Sequence, residues 1–72
     1  MFKDCFGRPL RDGDDVIVSI ENVLYSGIVM KELDSIIIIF YNYWEEGKEK
    51  EHDLQYGLTD LVEGKLMNIY RI

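Results

Sequence analysis

The sequence is poor in the residues that most often carry chemistry. Its 72 residues include one cysteine, one histidine and one proline. A lone Cys5 excludes an internal disulfide and agrees with a reducing compartment. No histidine or strong cationic setting adjoins Cys5 in the sequence to activate its thiol, so it reads as a small hydrophobe. The histidine, His52, stands in an acidic stretch, and a nucleophile–histidine pair would need proximity that no motif supplies. The glycines are scattered and make no phosphate loop or dinucleotide fingerprint. These shortages predict a protein that is not an enzyme and uses no cofactor.

Positive charge is also scarce. Eight Lys and Arg face fourteen Asp and Glu, a net charge of −6. A field of that sign repels nucleic acids and anionic membranes and favours basic partners or solubility. Lys3, Arg8 and Arg11 are interleaved with Asp4, Asp12, Asp14 and Asp15, and Lys48 and Lys50 with Glu49 and Glu51. No continuous basic patch results, and direct nucleic-acid binding is disfavoured. No apolar run approaches the roughly 18 residues of a membrane span. The first residues, MFKDCFGRPL, lack the apolar run of a signal peptide, which predicts a cytoplasmic protein.

Metal ligands are no better arranged. "DGDD" over 12–15 lacks the spaced ligands and closing glutamate of a calcium loop. "EKEHD" over 49–53 would send neighbouring side chains to opposite faces of a strand. The first reads as a turn and the second as a solvated edge.

What is present is β-forming sequence. Hydrophobic residues make up 47% of the chain and charged residues 31%, a globular balance. The length predicts one domain over 1–72, with a modest core. "RDGDD" reads as a turn and "DVIVSIE" as a half-buried strand. "ENV" is a tight reversal, and "VLYSGIVMKEL" a second strand in which Gly27 marks a bulge, bend or close approach. The third strand, Ser35–Trp44, is β-branched and aromatic throughout, and its four isoleucines, Ile36 to Ile39, read as core. At about 3.3 Å per residue it would cross the whole domain, so it must curve, fray or pass between sheets. Lys48–Leu54 returns as a charged edge strand. Thr59 caps a single 3-10 or helical turn with Leu58, Leu61 and Val62 facing inward, and Gly64 ends it. "KLMNIYRI" closes the chain as a strand. The expected fold is all-β: an SH3-like barrel of about five strands, with the short turn before the last.

The opening segment resembles short phage and prophage proteins that carry a small SH3-like barrel. The resemblance rests on Phe6, Gly7, Leu10, Gly13, Asp14, Val16, Val18, Gly27 and Val29, and Tudor- and KOW-type barrels share the Gly-Asp-x-Val start. It covers roughly the first 30 residues. It implies a non-enzymatic binding module that modulates or inhibits a host protein, such as a defence nuclease or the transcription machinery. The net charge departs from that of basic KOW-type proteins.

Nine aromatic residues exceed what so small a centre needs. Two roles fit Tyr43 and Trp44: covering a barrel end with polar tips out, or anchoring a partner. The expected partner-binding residues are Tyr41, Tyr43 and Trp44 as anchors, with Glu45, Glu46, Glu49 and Glu51 as an acidic rim facing a basic protein surface. Acids imitating a nucleic-acid backbone are the alternative. Self-association through a strand edge is a third expectation.

Overall fold

The structure is a computed structural model. It describes the backbone of residues 1–45 and 48–72, and the side chains of 1–40 and 53–72. The chain forms β1 (Asp15–Ile20), β2 (Val23–Lys31), β3 (Ser35–Glu45), β4 (Lys48–Gly57), a 3-10 turn at Leu58–Asp60, and β5 (Ile69–Arg71). All neighbouring strands are antiparallel, in one open sheet of order β4-β3-β2-β1-β5. Among the described residues, no helix is long and apolar enough to cross a membrane.

Local chemistry sets the turns. β1 and β2 are joined through Glu21 and Asn22, both at positive φ (49° and 67°), the backbone that a two-residue hairpin of matching twist requires. "RDGDD" turns as expected. Gly13 has φ 86°, Asp14 accepts the Arg11 amide at 2.8 Å, and Asp12 accepts the Lys31 amide at 2.9 Å. These bonds tie Asp12 to the backbone of β2 and Asp14 to that of the turn.

Period-two alternation divides the sheet into two faces. The inner face carries Val16 and Val18 of β1, Val29 of β2, Ile36, Ile38 and Phe40 of β3, and Ile69 of β5. Phe2, Leu10 and Leu66 complete this core, and Tyr25, Leu54, Tyr56 and Leu61 pack against it. Tyr25 stacks on Phe40 with ring centroids 5.4 Å apart. Gly27 is a close approach. It pairs with Phe40, and a Cβ there would lie 2.7 Å from Ile38 Cγ2 and 3.1 Å from the Ile39 carbonyl oxygen. Gly27→Ala should therefore cost about 2 kcal/mol through overpacking, read as a lower urea midpoint at unchanged slope. A midpoint equal to that of the wild type would contradict the close approach.

Several expectations need correction. Only Ile36 and Ile38 of the isoleucine run are buried in the core; Ile37 and Ile39 face the other way and are half-buried. β3 shifts register against β4 between Phe40 and Tyr43. β4 runs to Gly57 rather than ending at Leu54. The 3-10 turn starts after Gly57, whose amide donates to Asp60 Oδ2 at 2.7 Å, so Thr59 lies inside the turn rather than capping it. Leu58 and Val62 are exposed, and of the three apolar residues only Leu61 packs on the core. Val62 is drawn away by a hairpin with Lys65, turned through Glu63 and Gly64 at positive φ. The closing strand is correspondingly shorter than expected, because Leu66 donates its amide to Lys3 instead of joining β1.

Candidate functional site

The N-terminal segment covers the free edge of β5, and a buried carboxylate holds it there. Asp4 has no solvent exposure. Its Oδ1 accepts the Phe6 amide at 3.0 Å and the Arg8 amide at 2.8 Å, and Gly7, at φ 81°, lets the chain wrap around it. Its Oδ2 accepts Arg8 Nε at 2.9 Å and the Arg71 amide of β5 at 3.0 Å. Arg8 Nη2 in turn donates to the Arg71 carbonyl at 2.6 Å, and the Cys5 amide to the Ile69 carbonyl at 2.8 Å. The Asp4–Arg8 pair thus satisfies edge groups that another strand would otherwise have to meet. Burial raises the Asp4 carboxyl pKa, but the hydrogen bonds from Arg71, Arg8 and Phe6 outweigh it and hold the group below its ordinary value. Burial likewise opposes the Arg8 charge, and the bonds to Asp4 and Tyr70 outweigh it, so its pKa is raised.

This anchor positions an aromatic surface. The Arg8 guanidinium lies 4.6 Å from the Tyr70 ring centroid and 5.7 Å from that of Phe6. Phe6 meets Tyr70 edge to face at 5.6 Å. Beside them, on the outer face of β1 and β5, opens an apolar groove of about 140 Å³, lined by Cys5, Ile17, Ser19, Leu24, Met67 and Tyr70 among others. Phe6 is 71% exposed, Leu24 70% and Met67 55%. Large apolar side chains grouped around a depression are what a partner's side chain can fill. Asn68 also lines the groove and is held in place, its Nδ2 donating to the Tyr56 hydroxyl at 3.0 Å.

The expected anchors and rim fall elsewhere. The backbones of Tyr41, Tyr43, Trp44 and Glu45 lie in β3, and those of Glu49 and Glu51 in β4, but their side chains are outside the described residues, as is Glu46 altogether. Trp44 pairs with Glu49 and Tyr43 with Lys50 in the backbone register. Arg8, one of the cations that the sequence interleaves with acids, is paired with Asp4.

Sequence reasoning missed the groove and the Asp4 anchor. The groove gathers residues from position 5 to position 70, and the only local signal was the outward parity of Ile17 and Tyr70. For Asp4 a signal did exist. An Asp followed by amides two and four positions on, with a glycine between, is the pattern of a side chain that organises a turn. The residues carrying the family resemblance do mostly structural work: Leu10, Val16, Val18 and Val29 are buried, Gly7 and Gly13 have positive φ, and Gly27 is the close approach. Phe6, by contrast, is a large apolar side chain that stands 71% exposed. No protein-family model, curated protein or solved structure matches this chain.

Proposed function

We propose that this chain is a non-enzymatic, acidic protein-binding module: a small SH3-like barrel from a phage or mobile element that acts in the cytoplasm on a host protein of the defence or transcription machinery. The observation that carries the binding reading is the exposed apolar surface of Leu24, Met67 and Tyr70 around an open groove, with exposed Phe6 against Tyr70. So small a chain would gain solubility by keeping such residues polar. The barrel reading is supported by the strand order β4-β3-β2-β1-β5 and by the 3-10 turn between β4 and β5. The phage origin and the inhibitory role follow from the resemblance of the first 30 residues alone.

The mechanism is steric. Tyr41, Tyr43 and Trp44 dock on the partner, and the acids from Glu45 to Glu51 steer the domain to a basic surface. The second reading, nucleic-acid mimicry, is favoured by the net charge of −6. Salt separates the two. A mimic loses affinity steeply as salt rises, whereas an aromatic anchor responds weakly.

In capture from a host lysate, Trp44→Ala should leave the circular dichroism spectrum and urea midpoint intact and weaken recovery of the specific partner more than tenfold, about 1.4 kcal/mol or more. Undiminished capture, or an unfolded variant, would sink the aromatic-anchor mechanism.

A further inference from the structure

The sheet is open, and its two edges differ. At the β5 edge the N-terminal segment meets the outward backbone groups. The Ile69 carbonyl accepts the Cys5 amide, the Arg71 amide donates to Asp4, and the Arg71 carbonyl accepts from Arg8. The β4 edge has no such cover among the described residues. Register shows which of its groups point outward. Along a strand between two antiparallel neighbours, successive residues bond to one side and then to the other. The Glu32 amide donates to the Ser35 carbonyl at 2.9 Å, so Ile37 and Ile39 bond to β2 while Ile36 and Ile38 bond to β4. Ile36 stands opposite Tyr56, and Ile38 opposite Leu54. Tyr56 and Leu54 therefore turn their backbone groups to β3, and Gln55 and Asp53 turn theirs outward. The Gly57 amide also points outward, but Asp60 Oδ2 takes it at 2.7 Å and ends the open stretch.

We propose that the β4 edge adds an extended strand of a partner protein, one that carries Lys or Arg at every second position. N–H and C=O groups that point outward from alternate residues are met in full by another extended backbone. Charge selects whose backbone that is. From Lys48 to Asp53 the sequence KEKEHD alternates Glu49, Glu51 and Asp53 with Lys48, Lys50 and His52. Across an antiparallel edge, directly opposite residues either both bond to each other or both bond away, so two copies of β4 pair odd positions with odd and even with even. A second copy paired over this segment would set acid opposite acid and lysine opposite lysine or histidine, which is destabilising. Pairing further along, at 54–57, would meet the Asp60 carboxylate on the Gly57 amide. A foreign strand with cations opposite Glu49, Glu51 and Asp53 meets neither obstacle. The alternation that keeps copies of this chain apart thus selects a basic strand. The inference rests on the binding-module reading and names a partner chemistry for it. If the strand fails to bind, that reading is still decided by the Trp44→Ala capture.

The test uses the full chain, labelled with nitrogen-15, and a synthetic peptide of about nine residues that alternates lysine with threonine. In the free chain the Leu54 and Tyr56 amides should exchange slowly with solvent and the Asp53 and Gln55 amides quickly. Saturating peptide should slow exchange at Asp53 and Gln55 by about tenfold or more. In the bound peptide the lysine amides face β4 and the threonine amides face away. N-methylation of the lysine amides should therefore weaken binding by about tenfold or more, and N-methylation of the threonine amides by less than about threefold. A peptide with glutamates in place of the lysines should bind about tenfold more weakly. Asp53→Lys should weaken the lysine peptide about tenfold, while Glu63→Lys, the same charge change in the Val62–Lys65 hairpin, should alter it less than about twofold. The proposal is overturned by no binding, by equal losses from the two N-methylated peptides, or by equal losses in the Asp53 and Glu63 variants. It is equally overturned if Asp53 and Gln55 are already protected in the free chain, or if sedimentation shows a dimer that the peptide does not dissociate.

Discussion

Replacing Asp4 by alanine should cost about 3 kcal/mol of folding stability, a large part of the roughly 4–11 kcal/mol expected for 72 residues. The buried carboxylate accepts the Phe6, Arg8 and Arg71 amides and the Arg8 guanidinium. Its loss strands those donors while leaving Arg8 in place. The Arg8 side chain is 35% exposed and can turn to water, which keeps the cost near the low end for a broken buried pair. At about 4–8 °C per kcal/mol, the melting temperature should fall by about 15 °C. Asp4→Asn should not rescue it, because each carboxylate oxygen accepts two bonds and an amide nitrogen accepts none. The same group predicts a pH dependence. Its pKa when folded lies below the ordinary 3.8, so its stabilisation is complete above that value and is lost as pH falls through the folded pKa. The wild type should lose more stability on acidification below pH 3.8 than Asp4→Ala does. Parallel acid profiles, or a midpoint unchanged in the variant, would contradict the anchor.

Much of this fold was legible because strands and turns are written locally. Val16 and Val18 alternate with Ile17 and Ser19, Glu21-Asn22 sits between two strands, and Gly13 sits among aspartates; each element depends on its own neighbours. Where sequence reasoning failed, the deciding partner was distant. Four consecutive isoleucines have no period, so nothing in the run tells its inner face from its outer one. That division comes from register, with Ile38 against Val29 and Leu54, and Ile37 against Met30 and Gln55. "KLMNIYRI" looked uniform as a strand, yet Leu66 bonds to Lys3 at the other end of the chain. The Asp4 anchor spans 67 positions to Arg71. The groove was illegible for the same reason, since its lining is assembled by β5 returning beside β1.

The central claim is that the sheet divides the isoleucine run, giving Ile36 and Ile38 to the core and leaving Ile37 and Ile39 half-buried on the outer face. Ile38 has no exposure, so truncation removes its whole buried side chain and leaves a cavity, a loss of about 4 kcal/mol. Ile37 is half-buried among outer-face neighbours that can close over a smaller residue, and its truncation should cost about 1 kcal/mol. Urea unfolding of Ile38→Ala and Ile37→Ala, side by side with the wild type, measures the difference directly. The structure predicts a severely destabilised or unfolded Ile38→Ala beside an Ile37→Ala that keeps most of its stability. Equal losses at the two positions would show that both isoleucines are core and would contradict the division.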